Sequence, residues 1–236
     1  MKQTRHNASI RGNGVLYVLI GIAMFAALSF ALAKNWAGLS KATTQDQARL
    51  IADEMIQYGN GLRTVVDRLM LLNKISDDNT GGNGILFSAN GANAAYGVVG
   101  AQPTTEVFHA SGGGASYQSP PAGACLSTCA YEFSGQYTVT GVGDDAKSEL
   151  VMLVIDVDPV VCQMANVILQ NAWTTTPTDV ALTLTRFDGT NYGDLGGANA
   201  ITITGGSNEF VNNRAFCFQE AAGGQRYIYL HVIRSR

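Results

Sequence analysis

Hydrophobic and polar positions follow one pattern at the start of the chain and another toward its end. From Val15 to Ala33 nineteen residues, VLYVLIGIAMFAALSFALA, carry no charge, and Ser29 is the polar exception. Beyond them Ala48, Ile51, Met55, Tyr58, Leu62, Val65, Leu69 and Leu72 recur in alternating steps of three and four, which lays one apolar seam along a helix. Leu50, Ile56, Val66, Met70 and Leu71 widen that seam, so the helix is expected to pack on a sheet and not on a single partner helix. Gly59 and Gly61 interrupt it at a cost of up to about 1 kcal/mol each relative to alanine, and a bend is expected there.

From Tyr131 onward the pattern becomes that of strands. Runs rich in β-branched and aromatic residues predict strands over Tyr131–Thr140, Leu150–Val157, Val180–Phe187, Ile201–Thr204, Ala215–Gln219 and Tyr227–Arg234. Gly and Asp turns between them make an antiparallel sheet the natural arrangement. Asp158 is placed to cap a short helix that begins at Pro159 and carries Cys162. In the last run Ile228, Leu230 and Val232 read as core; Tyr227, Tyr229, His231 and Ile233 point the other way and read as a partly buried outer face, with an aromatic binding face as the alternative.

The uncharged segment sets the expected topology. A helix of that length spans about 28 Å, close to the hydrocarbon thickness of a bilayer. Lys2, Arg5 and Arg11 precede it, and the first acidic residue is Asp46, so the positive-inside rule leaves the amino terminus in the cytoplasm and exports everything after Lys34. A cleaved signal peptide is the rival reading, because Ala31-Leu32-Ala33 has the small-x-small form of a cleavage site. The helical pattern that resumes beyond the span favours retention. The expected organisation is a basic leader over 1–14, a transmembrane helix over 15–33, an amphipathic helix over 34–75 and an exported domain over 76–236. The fold class is α+β: a long N-terminal transmembrane-then-amphipathic helix packed on an antiparallel β-sheet domain.

Composition narrows the function classes. The 236 residues hold 46% apolar and 14% charged side chains, 27 glycines and a formal charge of −3. No basic stripe exists to displace phosphate counterions, which excludes nucleic acid as a partner. Cys125, Cys129, Cys162 and Cys217 all lie on the expected exported side, where disulfides form. Three pairings are open. A local Cys125–Cys129 bridge is easy in the turn-rich PPAGACLSTCAYEF and would leave Cys162 to pair with Cys217. Zinc is disfavoured, because His6, His109 and His231 make no ligand spacing with the cysteines.

Other candidate chemistry has a plainer reading beside it. GVGDDAKS over Gly141–Ser148 resembles a phosphate loop, but Ala146 stands where glycine is required, and a hairpin turn accounts for it. Asp188, Asn191 and Asp194 in FDGTNYGDLGG, and Asp77 and Asp78 in SDDNTGGNG, offer oxygens to calcium; Asx-turns and glycine turns explain both. His109 beside Ser111 or Ser116 is the one exported Ser-His arrangement, against a surface-loop histidine. Asp156 and Asp158 share one face of a strand end, and capping by Asp158 accounts for part of that pair. No cofactor motif is present, and the reading is non-enzymatic.

The segments RGNGVLYVLIGIAMFAALSFALA, QYGNGLRTVVDRLMLLN, ELVMLVIDVDPVVCQMANVI and AFCFQEAAGGQRYIYLHVIRSR resemble a group of pilin-like proteins of Gram-negative bacteria, within the type IV pilins and pseudopilins. The stretch from Gly81 to Gly123 lies outside the resemblance. It implies a structural or assembly subunit of a filament or secretion system, held in the inner membrane with its C-terminal domain periplasmic or extracellular. Its implied partners are membrane lipid, other pilin-like subunits or further copies of itself, and a prepilin peptidase that cuts after Gly12 or Gly14. The family's glutamate at the fifth mature position would fall on Tyr17 or Leu19, and neither is acidic; minor pseudopilins share that departure. A membrane-anchored binding module for a glycan, peptide or envelope component is the alternative.

Overall fold

The computed structural model describes residues 13–75, 84–171, 176–179, 182–190, 192–193, 201–203, 209–221 and 226–236. Within the first helix it describes the side chains of 17–25 and 44–73. The chain divides into two units, Met1–Asp46 and Gln47–Arg236. Helix α1 (Asn13–Asn73) contributes residues to both.

In the second unit, the face of α1 predicted from the seam is the one that packs. Ala48, Met55, Leu62 and Leu69 are buried, and Ala52, Ile56, Val66 and Met70 widen the contact. Leu50, Leu71 and Leu72, assigned to that face from sequence, are exposed instead. The helix runs unbroken through Gly59 and Gly61, so the expected interruption does not occur. It ends in a Schellman arrangement. Lys74 takes a left-handed φ of 52°, the Ile75 N–H reaches the Met70 carbonyl at 3.2 Å, and both apolar side chains are buried.

Among the described residues six strands form one sheet: β1 (Tyr131–Val139), β2 (Glu149–Ile155), β3 (Thr178–Asp179), β4 (Ile201–Ile203), β5 (Ala215–Glu220) and β6 (Tyr227–Arg234). Their order is β3-β5-β6-β2-β1-β4. The four long strands pair antiparallel, while β4 joins β1 and β3 joins β5 in parallel. Central β2, ELVMLVI, is covered on both faces, which is why its sequence is almost continuously apolar. Leu150, Met152 and Val154 face the helix side, with α1, α2 (Pro159–Ile168) and Ile85, Phe87 and Val107. Val151 and Leu153 belong to the opposite cluster, which Leu182, Ile203 and Phe210 complete. Strand β6 is likewise buried on both faces. Tyr229, His231 and Ile233, expected on an outer face, are core.

Asp158 caps α2 as expected, its carboxylate accepting the N–H groups of Val160 at 2.8 Å and Val161 at 3.4 Å. The cysteines form Cys125–Cys129 and Cys162–Cys217. The second bridge is wholly buried and ties α2 to β5. By loop-closure entropy it contributes about 4 kcal/mol.

The expected fold class is corrected on two points. The sheet is mixed and not antiparallel, because both edges are filled by short strands that run parallel to their neighbours. No helix among the described residues is long and apolar enough to cross a membrane. Of the expected span Val15–Ala33, the described side chains are Tyr17 to Phe25. The rest of its side chains lie outside the described residues. The described residues therefore give no support to the expected inner-membrane anchor. The predicted strand Val180–Phe187 is corrected too: its described residues, 182–187, form an extended strap and not a strand.

Candidate functional site

A cleft of about 500 Å³ opens where the end of β2, the start of β1, the strap and the entrance to β6 come together. It is lined by Ser127, Thr128, Cys129, Ala130, Glu132, Ile155, Asp156, Leu184, Arg186 and Arg226. The volume falls within the range of small-molecule sites.

One wall is a short loop held at both ends. The Cys125–Cys129 bridge closes it covalently, and an antiparallel bridge joins Cys125 to Val157. The Leu126 N–H donates to the Asp156 carbonyl at 3.0 Å, and the Ser127 hydroxyl donates to the Asp156 carboxylate at 2.6 Å. Asp156 itself takes a left-handed φ of 68°, which turns the chain out of β2 and its carboxylate toward the loop.

The other wall is built of two bidentate ion pairs. Arg186 donates from Nε and Nη2 to Glu132 at 2.8 and 2.7 Å. Glu132 is fixed from behind by the Tyr96 hydroxyl, which in turn accepts the Phe133 N–H at 2.8 Å. Burial, reinforced by the Glu132 hydrogen bond, pushes the Tyr96 phenol far up, so it stays a donor. Arg226 donates from Nε and Nη2 to Glu220 at 2.8 and 2.9 Å, and Glu220 also accepts the Leu182 N–H at 2.8 Å. The Arg226 hydrogen bond outweighs burial and holds the Glu220 carboxyl below its ordinary value. Both arginines are raised by their carboxylate partners. The result is two planar guanidinium groups held rigidly, with their charges already balanced.

The residues singled out from sequence fall elsewhere, apart from Cys129 and Asp156. His109 Nδ1 accepts the backbone N–H of Ser111 at 3.1 Å, so the contact is a local loop hydrogen bond and not one to a serine hydroxyl. Asp188 Oδ1 accepts both the N–H and the hydroxyl of Thr190, at 2.9 and 2.8 Å, an Asx-turn. Asn191, Asp194, Asp77, Asp78 and Gly12 lie outside the described residues, and Gly14 lies in the first turn of α1. GVGDDAKS is the β1–β2 connection, with left-handed Gly141 and Gly143. Among the described residues no three His, Cys, Asp or Glu side chains gather to hold a metal. Within the Gly81–Gly123 stretch, Phe87, Tyr96 and Val107 are buried core residues.

Glu132, Arg186 and Arg226 were not legible as a group. They are distant in sequence, and an isolated Glu or Arg carries no signal until the strap crosses β1. Asp156 was visible only as one of a pair of strand-end acids. Comparison of the chain with protein-family models, curated proteins and solved structures finds no match.

Proposed function

We propose that the chain is a non-enzymatic, pilin-like assembly subunit, exported to an oxidising compartment, in which the apolar stretch of α1 packs against further copies of the chain. The observation that carries this reading is the exposure of Tyr17, Val18, Leu19, Ile20, Ile22, Met24 and Phe25, between 45% and 73% each. At 100° per residue, the four consecutive positions from Tyr17 to Ile20 reach around the whole helix circumference. A helix apolar on every side is stable only when covered, and identical helices supply a matching apolar surface. Two disulfides favour the oxidising compartment.

The described histidines favour a structural role over a catalytic one. His231 is a buried neutral ring, and His109 is tied to its own loop. Cross-linking of the full chain tests the proposal. Val18→Cys is expected to yield a disulfide-linked homodimer on mild oxidation, and failure to cross-link at any concentration contradicts it.

A further inference from the structure

We infer that the cleft between Ser127–Ala130 and the Arg186–Glu132 pair is a binding site for a neutral saccharide, a role distinct from assembly through α1. The argument begins with charge. Arg186 and Arg226 are already balanced by Glu132 and Glu220, and Asp156 adds a further negative charge, so the lining does not attract an anion. To pair bidentately with either guanidinium, an anion would have to displace Glu132 or Glu220 from a pair at 2.7 to 2.9 Å.

A hydroxyl-rich ligand needs no such displacement, because each of its hydroxyls both donates and accepts. Asp156 accepts, Arg226 donates through Nη1, which its pairing with Glu220 through Nε and Nη2 leaves over, and Thr128 does either. Ile155 and Leu184 belong to the same lining and offer apolar surface to the C–H face of a pyranose ring. A lining that holds both polar and apolar side chains is what an amphipathic ring requires. The wall is also pre-organised: a short disulfide loop, a left-handed aspartate and two bidentate pairs fix its geometry before any ligand arrives, which lowers the entropic cost of binding.

The full chain with both disulfides intact is titrated with cellotriose, maltotriose and chitotriose, and binding is followed by two-dimensional NMR. At least one trisaccharide is expected to shift the amide signals of Ser127, Thr128, Asp156 and Arg226 saturably. Thr128→Trp, which fills the cleft from an exposed position, is expected to weaken that binding by more than about tenfold with the unfolding midpoint unchanged. Val98→Ala, exposed outside the cleft, is expected to change nothing. Absence of any shift up to about 10 mM of all three sugars overturns the assignment. So does a set of shifts centred elsewhere, or tighter binding of 3′-sialyllactose than of every neutral sugar. Should Thr128→Trp not fold, the map of shifts on the unaltered protein decides by itself.

Discussion

Gly59 of α1 lies directly against the imidazole of His231 on β6: a Cβ added at Gly59 would sit 2.6 Å from Nδ1. The glycine that reads as a helix interruption is a packing contact, and the helix continues through it because the sheet holds it there. Gly61, two residues on, meets nothing within 4 Å. Helix propensity alone favours alanine at both sites by about 1 kcal/mol. Gly61→Ala is therefore expected to stabilise the protein by up to that amount, and Gly59→Ala to destabilise it by about 1–3 kcal/mol through overpacking. Denaturant unfolding of the two variants reads the opposite signs.

The same histidine makes stability depend on pH. Burial, with Arg63 adding to it, pushes the His231 imidazole down to about 4, and Tyr229 shares a 2.9 Å hydrogen bond with its Nδ1. The unfolded chain takes up this proton near pH 6.5 and the folded chain does not. Stability from this group is therefore whole above about 6.5 and falls by about 3 kcal/mol as the pH drops toward 4. Glu149 acts in the other sense. Burial raises its carboxyl to about 7; Oε2 accepts the Val139 N–H at 2.8 Å, and Oε1 has no hydrogen-bond partner. The folded state holds that proton after the unfolded state has lost it, so stability declines as pH rises from about 4.5 through 7. Between about pH 5 and 6.5 the two slopes oppose each other. His231→Gln is expected to leave a stability that declines with rising pH across that window, and Glu149→Gln one that rises. Parallel unfolding curves for both variants contradict these assignments.

Asn166 of α2 serves as a substitute strand. Its side chain donates to the Cys217 carbonyl at 2.8 Å and accepts the Cys217 N–H at 2.8 Å, which satisfies a stretch of β5 that no strand among the described residues covers. Asn166→Ala leaves two buried backbone groups unpaired, with an expected loss of about 2–4 kcal/mol by thermal unfolding. Asn166→Asp keeps the acceptor and loses the donor, and is expected to fall short of the native stability as well.

The elements governed by local rules were legible in the sequence. The three-four spacing from Ala48 to Leu69 names the buried face of α1, Asp158-Pro159 names the start of α2, and the apolar runs name β1, β2, β5 and β6. What escaped depends on distant partners. Nothing near Gly59 in sequence announces His231, and nothing in VALTLTRF tells that Leu182 and Leu184 pack beneath the sheet while Phe133 receives the Phe187 N–H at 2.9 Å. The mixed sheet follows from such non-local crossings, which periodicity does not encode. The cleft was hidden for the same reason: Arg186 and Glu132 are 54 residues apart.

Sedimentation velocity of the full chain, compared with the double variant Leu19→Glu/Ile22→Glu, tests assembly through α1 most directly. Both positions are exposed, so the unit spanning Gln47–Arg236 should melt identically in the two proteins. The expected result is a concentration-dependent oligomer for the wild type and a monomer for the variant. A wild-type chain that sediments as a monomer at every concentration, or a variant that associates as strongly as the wild type, contradicts the account.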